Sequence, residues 1–171
     1  MHMNRKLVQA IRRTAYRAFE EMGMLLPADS DGSAAPPIRD ADALAVLVEF
    51  TGAGRGTMAL QLQAGLASSF AANMIGQDTP PDDQAVEDAA RELLNVLCGN
   101  ALPEIAAGDG RFHLAPPRRI NAGEYERLRR SDHSLAACSL ELDGGRSEVV
   151  LCSADGNTWL KEEYRDPGAD R

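Results

Sequence analysis

Apolar residues recur at helical spacing in the first part of the chain and at alternate positions further on. From Arg5 to Met24 they return every three or four residues, which predicts an amphipathic helix. From Leu44 to Gln63 the period becomes two, in two runs separated by the Gly-rich segment TGAGRG. This pattern predicts a β-hairpin. The intervening segment, Pro27 to Asp42, is rich in Pro, Ser and Asp and is typical of a flexible connection.

Two helices are predicted next. The first is expected over 65–75, where apolar residues repeat every four positions, and Gly76 would end it. The second is the stretch EDAARELLNVLCGNALPEI, residues 87–105, and either Asp82 or Asp83 is suited to cap its N-terminus.

The rest of the chain is predicted to consist mainly of strands. Phe112 and Leu114 indicate a short strand, and residues 135–142 and 146–152 are expected to pair as a hairpin that turns at DGG. The charged segment GEYERLRRSDHS between them is interpreted as a solvated loop, because its arginines are interleaved with acidic residues.

The order of these elements predicts an α+β fold, with helices packed on a mainly antiparallel sheet. We expect one domain over residues 1–171, with residues 27–42 as a flexible linker and residues 161–171 as a tail.

Composition and charge narrow the possible functions. The 171 residues are 44% hydrophobic and carry a net charge of −8, so a broad nucleic-acid footprint and a polybasic membrane surface are not expected. The longest apolar run, Ala43 to Val48, is far shorter than the roughly 20 residues that cross a bilayer. The three cysteines are odd in number and form no Cys-x-x-Cys pair, so they are interpreted as reduced core thiols of a cytoplasmic protein.

Common catalytic motifs do not fit this chain. The segment TGAGRG leads into a strand and has no Lys-Ser/Thr after it, so it is interpreted as a hairpin turn and not as a phosphate loop. His2, His113 and His133 have no metal-binding spacing, and no Gly-x-Ser-x-Gly elbow occurs.

The helix over 87–105 carries an unusual polar stripe. On a helical wheel, Asp88, Glu92 and Asn95 fall within roughly 60° of one another, and Gly99 continues the line. The opposite side is expected to be buried and consists of Val86, Ala90, Leu93 and Leu97. Asn is a mediocre helix former, so Asn95 needs an explanation. One interpretation is a solvated face that ends in a glycine C-cap; the other is that Glu92 and Asn95 project together toward a partner.

The chemistry open to such a pair is restricted. Asn is neither an acid nor a base near neutral pH, but its amide accepts from a water and donates to an oxyanion at once, which suits phosphoryl transfer. Glu92 would supply a charge-assisted contact to a basic group. A small-molecule hydrolase with Asp88 and Glu92 as acid and base is a weaker rival, because both carboxylates are expected to face solvent.

The sequence DAARELLNVLCGNA resembles the signature helix of the CheX/CheC/FliY phosphatases, which dephosphorylate the chemotaxis response regulator CheY. The family pattern is Asp or Ser, Glu one turn later, Asn three residues after that, and a Pro further along. Asp88, Glu92 and Asn95 match it, and Pro117 arrives slightly earlier than usual. The preceding segment, residues 55–78, also resembles the CheX strand and helix.

This resemblance implies a role for each matched residue. Glu92 would form a salt bridge with the active-site lysine of a phosphorylated CheY-like receiver domain, and Asn95 would orient the water that attacks its aspartyl phosphate. Asp88, Gly99 and Pro117 would contact the partner. The Mg²⁺ belongs to the receiver, so no cofactor is expected on this chain.

The resemblance also sets expectations about assembly and alternatives. Glu20 and Glu21 on the first helix are not followed by an Asn, so one active helix per chain is expected, as in CheX. CheX proteins pair through their sheets, which implies a homodimer. The alternative function is a non-catalytic CheX-like adaptor that binds a receiver or a flagellar-switch protein.

Overall fold

The computed structural model describes residues 4–28 and 36–165. In these residues, four α-helices and one six-stranded antiparallel sheet account for most of the regular structure. The helices are α1 (Arg5–Gly23), α2 (Ala64–Ile75), α3 (Asp83–Ile105) and α4 (Ala122–Arg129). The strands are β1 (Leu44–Gly52), β2 (Gly56–Leu62), β3 (Phe112–Leu114), β4 (Arg118–Ile120), β5 (Ser134–Leu142) and β6 (Gly145–Ser153). The α+β prediction is confirmed.

The sheet order is β3-β1-β2-β6-β5, and β4 also pairs with β1. Both predicted hairpins are present, as β1–β2 and β5–β6. Because β2 pairs with β6, the two hairpins join at the centre of the sheet. The predicted short strand at Phe112 and Leu114 is β3, on the outer edge of β1.

Local signals set the helix ends. The Asn4 side chain caps α1 by accepting from the backbone N–H groups of Lys6 and Leu7. Asp82 caps α3 by accepting from the N–H of Ala85 at 2.8 Å, so the first of the two predicted caps is the one used. Gly76 ends α2 with a left-handed φ of 67°, as its position predicts.

The main core lies between the first face of the sheet and helices α1, α2 and α3. Val46, Val48 and Leu60 project from the sheet into it and are fully buried. Phe19 of α1 meets Phe70 of α2 edge-to-face, with ring centroids 5.6 Å apart. A Cβ on Gly23 would lie 2.3 Å from the Phe70 ring, so the close approach of α1 and α2 requires glycine there.

The prediction of a solvated loop over GEYERLRRSDHS is wrong, because most of it forms α4. Asn121 caps the helix by accepting from the N–H of Glu124, and Glu126 pairs with Arg129 and Arg130 one turn away. Tyr125 is buried against the second face of the sheet. The apolar residues that it covers on that face include Ala45, Leu47, Ala59 and Val150. The sheet is therefore covered on both sides.

The predicted linker and tail lie partly outside the described residues. Residues 29–35 and 166–171 are not described. Next to the first gap, Ala28 donates its N–H to Glu141 of β5, and Ile38 is buried. Within the predicted tail, Lys161 donates its N–H to Ile105 at the end of α3, and Glu162–Tyr164 forms a 3₁₀ turn.

The three cysteines are free and buried, in agreement with their interpretation as core thiols. Burial raises the pKa of the Cys138 thiol to about 12 and that of Cys152 to about 11. Neither is poised as a nucleophile near neutral pH, because the thiolate is the reactive form. In the part of the chain that the structure describes, no helix is long and apolar enough to span a membrane.

Candidate functional site

The candidate site is the polar stripe on α3. Asp88, Glu92 and Gly99 are exposed and Asn95 is half-buried. Their spacing of four, three and four residues brings them onto one side of the helix. The residues on the other side are almost fully buried, and they are Ala90, Leu93, Leu94, Leu97 and Cys98. Val86, which was predicted to be buried, is partly exposed and packs against the core.

Packing makes α3 a rigid support for this stripe. The helix contacts α1, α2 and the first four strands, so its backbone is held from several directions. A group on such an element is positioned more accurately than one on a loop. The stripe is therefore a narrow, largely exposed strip on a well-anchored helix, with Asn95 half-buried.

Glu92 and Asn95 have unengaged side chains. Within residues 4–28 and 36–165, neither side chain takes part in a hydrogen bond or an ion pair. Asp88 differs, because it accepts a hydrogen bond from Gln84 Nε2 at 2.9 Å and lies 3.9 Å from Arg91 Nη1. Of the three polar residues, Glu92 and Asn95, to which the resemblance assigns a role, are thus the two whose side chains have no partner within the described residues.

The interpretation of Gly99 as a helix C-cap is wrong. The helix continues for six residues beyond it to Ile105 and includes Pro103. Nothing lies within 4 Å of the position that a Cβ on Gly99 would occupy. Because Pro103 has no N–H, the carbonyl of Gly99 lacks the i→i+4 donor that it would have in an uninterrupted helix. Gly99 therefore offers both room and a backbone acceptor without its usual partner, just beyond Asn95.

An arginine–glutamate network flanks the stripe, and the motif analysis did not identify it. Arg91 donates to Glu87 one turn earlier, and Arg119 of β4 donates to the same carboxylate at 3.3 Å. Glu87 is only 15% exposed at its side chain, so this contact fixes β4 to the first half of α3. The i, i+4 pair of Glu87 and Arg91 was visible in the sequence, but the partner from β4 was not.

Pro117 lies at an irregularity along the outer edge of β1. Phe50 pairs with Leu114 and Leu47 with Arg118, so three residues, 115–117, oppose two in β1. This is the geometry of a β-bulge, where prolines are tolerated. Both strands next to it, β3 and β4, contact α3.

The segment that contains the bulge contacts α3 near both ends of the helix, and these two contacts indicate where the bulge lies. Arg119 reaches Glu87, and a Cβ on Gly110 would lie 3.2 Å from Pro103. Asn95 is eight residues from both Glu87 and Pro103 along the helix. The edge containing Pro117 therefore runs beside the central turns of α3, where Asn95 is located.

This part of α3 is suited to contact another molecule. It offers an amide and a carboxylate side by side, with an open backbone position next to them. In the described residues, no group of three or more His, Cys, Asp and Glu side chains is arranged to hold a metal ion.

Comparison with known proteins identifies this architecture. The structure resembles a putative chemotaxis protein from Desulfovibrio vulgaris Hildenborough at 17% identity and a TM-score of 0.62, over 88% of this chain and 99% of that one. It resembles CheX from Vibrio vulnificus at 19% identity and a TM-score of 0.60, over 89% and 99% of the two chains. It also resembles a chain of the CheX–CheY–BeF₃–Mg²⁺ complex from Borrelia burgdorferi at 17% identity and a TM-score of 0.57, over 85% and 96%. At these identities the likeness establishes the fold, which is that of the CheX/CheC chemotaxis proteins.

The family follows from the sequence itself. The family model described as "Chemotaxis phosphatase CheX" matches residues 44–141, which is more than half of the chain and includes the whole stripe and Pro117. This chain belongs to the CheX family of chemotaxis phosphatases. No curated protein matches the chain significantly.

Proposed function

We propose that this chain hydrolyses the aspartyl phosphate of a CheY-like receiver domain. The observation that carries the proposal is the pair Glu92 and Asn95, both unengaged, on one side of a rigid helix inside the region that matches the CheX family. The neighbour from Borrelia burgdorferi is a complex between CheX and CheY, which supports a receiver domain as the partner.

Asn95 is the catalytic residue of this proposal. Its amide oxygen accepts a hydrogen bond from a water and its NH₂ group is free to donate to a phosphoryl oxygen. The water oxygen bonds to phosphorus while the bond from phosphorus to the aspartyl oxygen breaks. The products are inorganic phosphate and the free carboxylate of the receiver. Positioning supplies most of the catalysis in such transfers, and an amide on a fixed helix provides it.

Glu92 aligns the two proteins in this proposal. It lies one turn before Asn95 on the same side of α3, and its carboxylate is exposed. A lysine of the receiver would make a charge-assisted hydrogen bond with it. Asp88, Gly99 and Pro117 border this contact, and the Mg²⁺ that offsets phosphoryl charge is held by the receiver.

Decay of phosphorylated receiver domains tests the proposal. Receivers from the same genome are phosphorylated with acetyl phosphate and Mg²⁺, and their dephosphorylation is followed with and without this chain. We expect accelerated decay for the cognate receiver. Asn95→Ala should lower kcat by about 100-fold or more while binding persists, as for loss of one positioned transition-state hydrogen bond. Glu92→Gln should mainly raise KM, by about ten-fold or more.

Two matched variants serve as controls. Asn100→Ala removes an exposed amide from another side of the same helix, and Glu21→Gln removes an exposed carboxylate from α1. Both should retain full activity. If a receiver binds but its decay is unchanged by the wild-type chain, the protein is an adaptor and the phosphatase proposal fails. Light scattering on the same samples tests the homodimer that the family resemblance implies.

A further inference from the structure

A cavity lies on the other side of the sheet from α3. It measures about 340 Å³ and opens between α4 and residues 37–41. Its lining includes the apolar residues Ile38 and Ala122, together with Tyr125 of α4 and Gln61 of β2. This position separates it from the α3 stripe, because the sheet lies between them.

Gln61 is an exception among the buried polar residues. It is 4% exposed, yet its side-chain amide has no hydrogen-bond partner in the part of the chain that the structure describes. The other five buried polar residues all use their side chains, and they are Thr14, Ser134, Ser147, Glu148 and Ser153. Neither atom of this amide is completely enclosed, so each keeps access to water without gaining a hydrogen bond from the described residues. Leucine or valine would serve better at this position if packing were its only role.

The residues that flank Gln61 in the sheet offer no free hydrogen-bonding side chain. Glu148 stands opposite Gln61 in β6, and its carboxylate accepts from the Tyr125 hydroxyl at 3.1 Å and from Ser139 at 3.5 Å. On the other side the opposite residue is Ala45, which has no polar side chain. The Gln61 amide is not fully enclosed by protein, so its accessible part faces the cavity that it lines.

The lining carries two basic and two acidic residues, so its formal charges sum to zero. Arg130 pairs with Glu126, and Asp40 accepts a hydrogen bond from Gln63 at 2.7 Å. Arg39 is the remaining charged residue of the lining and is exposed. The interior thus combines apolar walls with one primary amide, which favours an uncharged ligand.

We propose that this cavity binds a small, neutral, planar molecule through Gln61. A primary amide presents a donor and an acceptor in one plane, and it pairs with an edge that presents the complementary acceptor and donor. Nucleobases and carboxamides have such an edge, and Gln pairs with adenine in this way. The volume is near the lower limit for ligand pockets, which fits a molecule of this size.

NMR of the intact chain tests the proposal. The probes are adenine and nicotinamide, with 3-acetylpyridine as the matched compound that keeps the ring and carbonyl of nicotinamide but lacks its NH₂ donor. We expect adenine and nicotinamide to shift the side-chain NH₂ signals of Gln61 saturably, and 3-acetylpyridine to bind at least ten-fold more weakly.

Two variants locate the binding. Gln61→Met preserves the approximate volume and removes the amide, so affinity should fall at least ten-fold. Ala122→Leu fills the cavity from α4 without altering Gln61 and should have the same effect, which keeps the test decisive if the first variant fails to fold. Gln77→Met changes an exposed residue after α2 and should bind normally. The proposal is overturned if no probe shifts the Gln61 signals, which would mean that the cavity holds water only, or if folded variants bind as well as the wild type.

Discussion

A substitution at Gly99 should change stability and activity in opposite directions. We expect it to stabilise the fold and to weaken the contact with the partner. It lies inside α3 with an ordinary helical backbone, and a Cβ at this position would meet nothing within 4 Å. Gly99→Ala should therefore introduce no clash in the folded chain. It should also remove the entropic cost of ordering a glycine within a helix.

The stability gain follows from helix propensity. Alanine is favoured over glycine by about 0.8–1 kcal/mol in a helix interior. For a chain of this size, about 1 kcal/mol raises Tm by about 2–4 °C. Thermal unfolding followed by circular dichroism should show an increase of this order for Gly99→Ala.

Phosphatase activity should change the other way. The open position and the carbonyl left unpaired by Pro103 lie just beyond Asn95, where the proposed contact with a receiver would require close approach. A methyl group there should raise KM by about ten-fold, and Gly99→Leu should raise it further. Asn100→Ala is the control at the adjacent position, and it should leave KM unchanged.

Two results would contradict this reasoning. A loss of thermal stability in Gly99→Ala would mean that the backbone at this position is not free to accept a side chain. Unchanged KM in Gly99→Leu, with normal folding, would mean that the receiver does not approach this part of α3.

Two further predictions concern stability alone. Asn95→Ala should raise the free energy of unfolding by a few tenths of a kcal/mol in urea titrations, because alanine is the better helix former and Asn95 has no hydrogen bond to lose within the described chain; a clear decrease would show that Asn95 is structural. Burial raises the pKa of Glu148 above its ordinary value of 4.5, so its contribution to stability is fully present below that value and is lost as pH rises through the raised pKa. Glu148→Gln cannot ionise, and its stability relative to wild type should therefore increase from pH 4.5 to pH 8, while the exposed control Glu21→Gln should show no such trend. A difference that stays constant or shrinks with pH would contradict the assigned cause.

Much of the fold was predictable because its signals are local. The alternating runs around TGAGRG and DGG predicted both hairpins, four-residue spacing predicted α2, and an amphipathic pattern after an Asp cap predicted α3. The stripe of Asp88, Glu92 and Asn95 followed from helical geometry alone. Asp88 and Glu92 are exposed as predicted, whereas Asn95 is half-buried. These inferences need only the period of the side chains along the backbone.

The sequence prediction missed α4 for an identifiable reason. Its helix is highly charged and buries one large side chain, Tyr125, so no apolar period marks it. The Asn121 cap and the pairs of Glu126 with Arg129 and Arg130 were the available signals. The helix is stabilised by contacts with distant segments, because it covers a second apolar face that exists only once the strands have paired.

The sequence by itself determined most of the elements, the family resemblance and the identity of the stripe residues, because each depends on spacing within one segment. Only the tertiary structure decided which of the stripe residues have side chains without a hydrogen bond or an ion pair in the described chain. Pairing of β3 and β4 with β1 brings the Pro117 bulge alongside α3, and Arg119 reaches Glu87 across 32 residues of chain. Burial of Gln61 beside a cavity likewise depends on β6, α4 and residues 37–41 meeting around it. Contacts between distant segments depend on how the whole chain packs, and no local period records them.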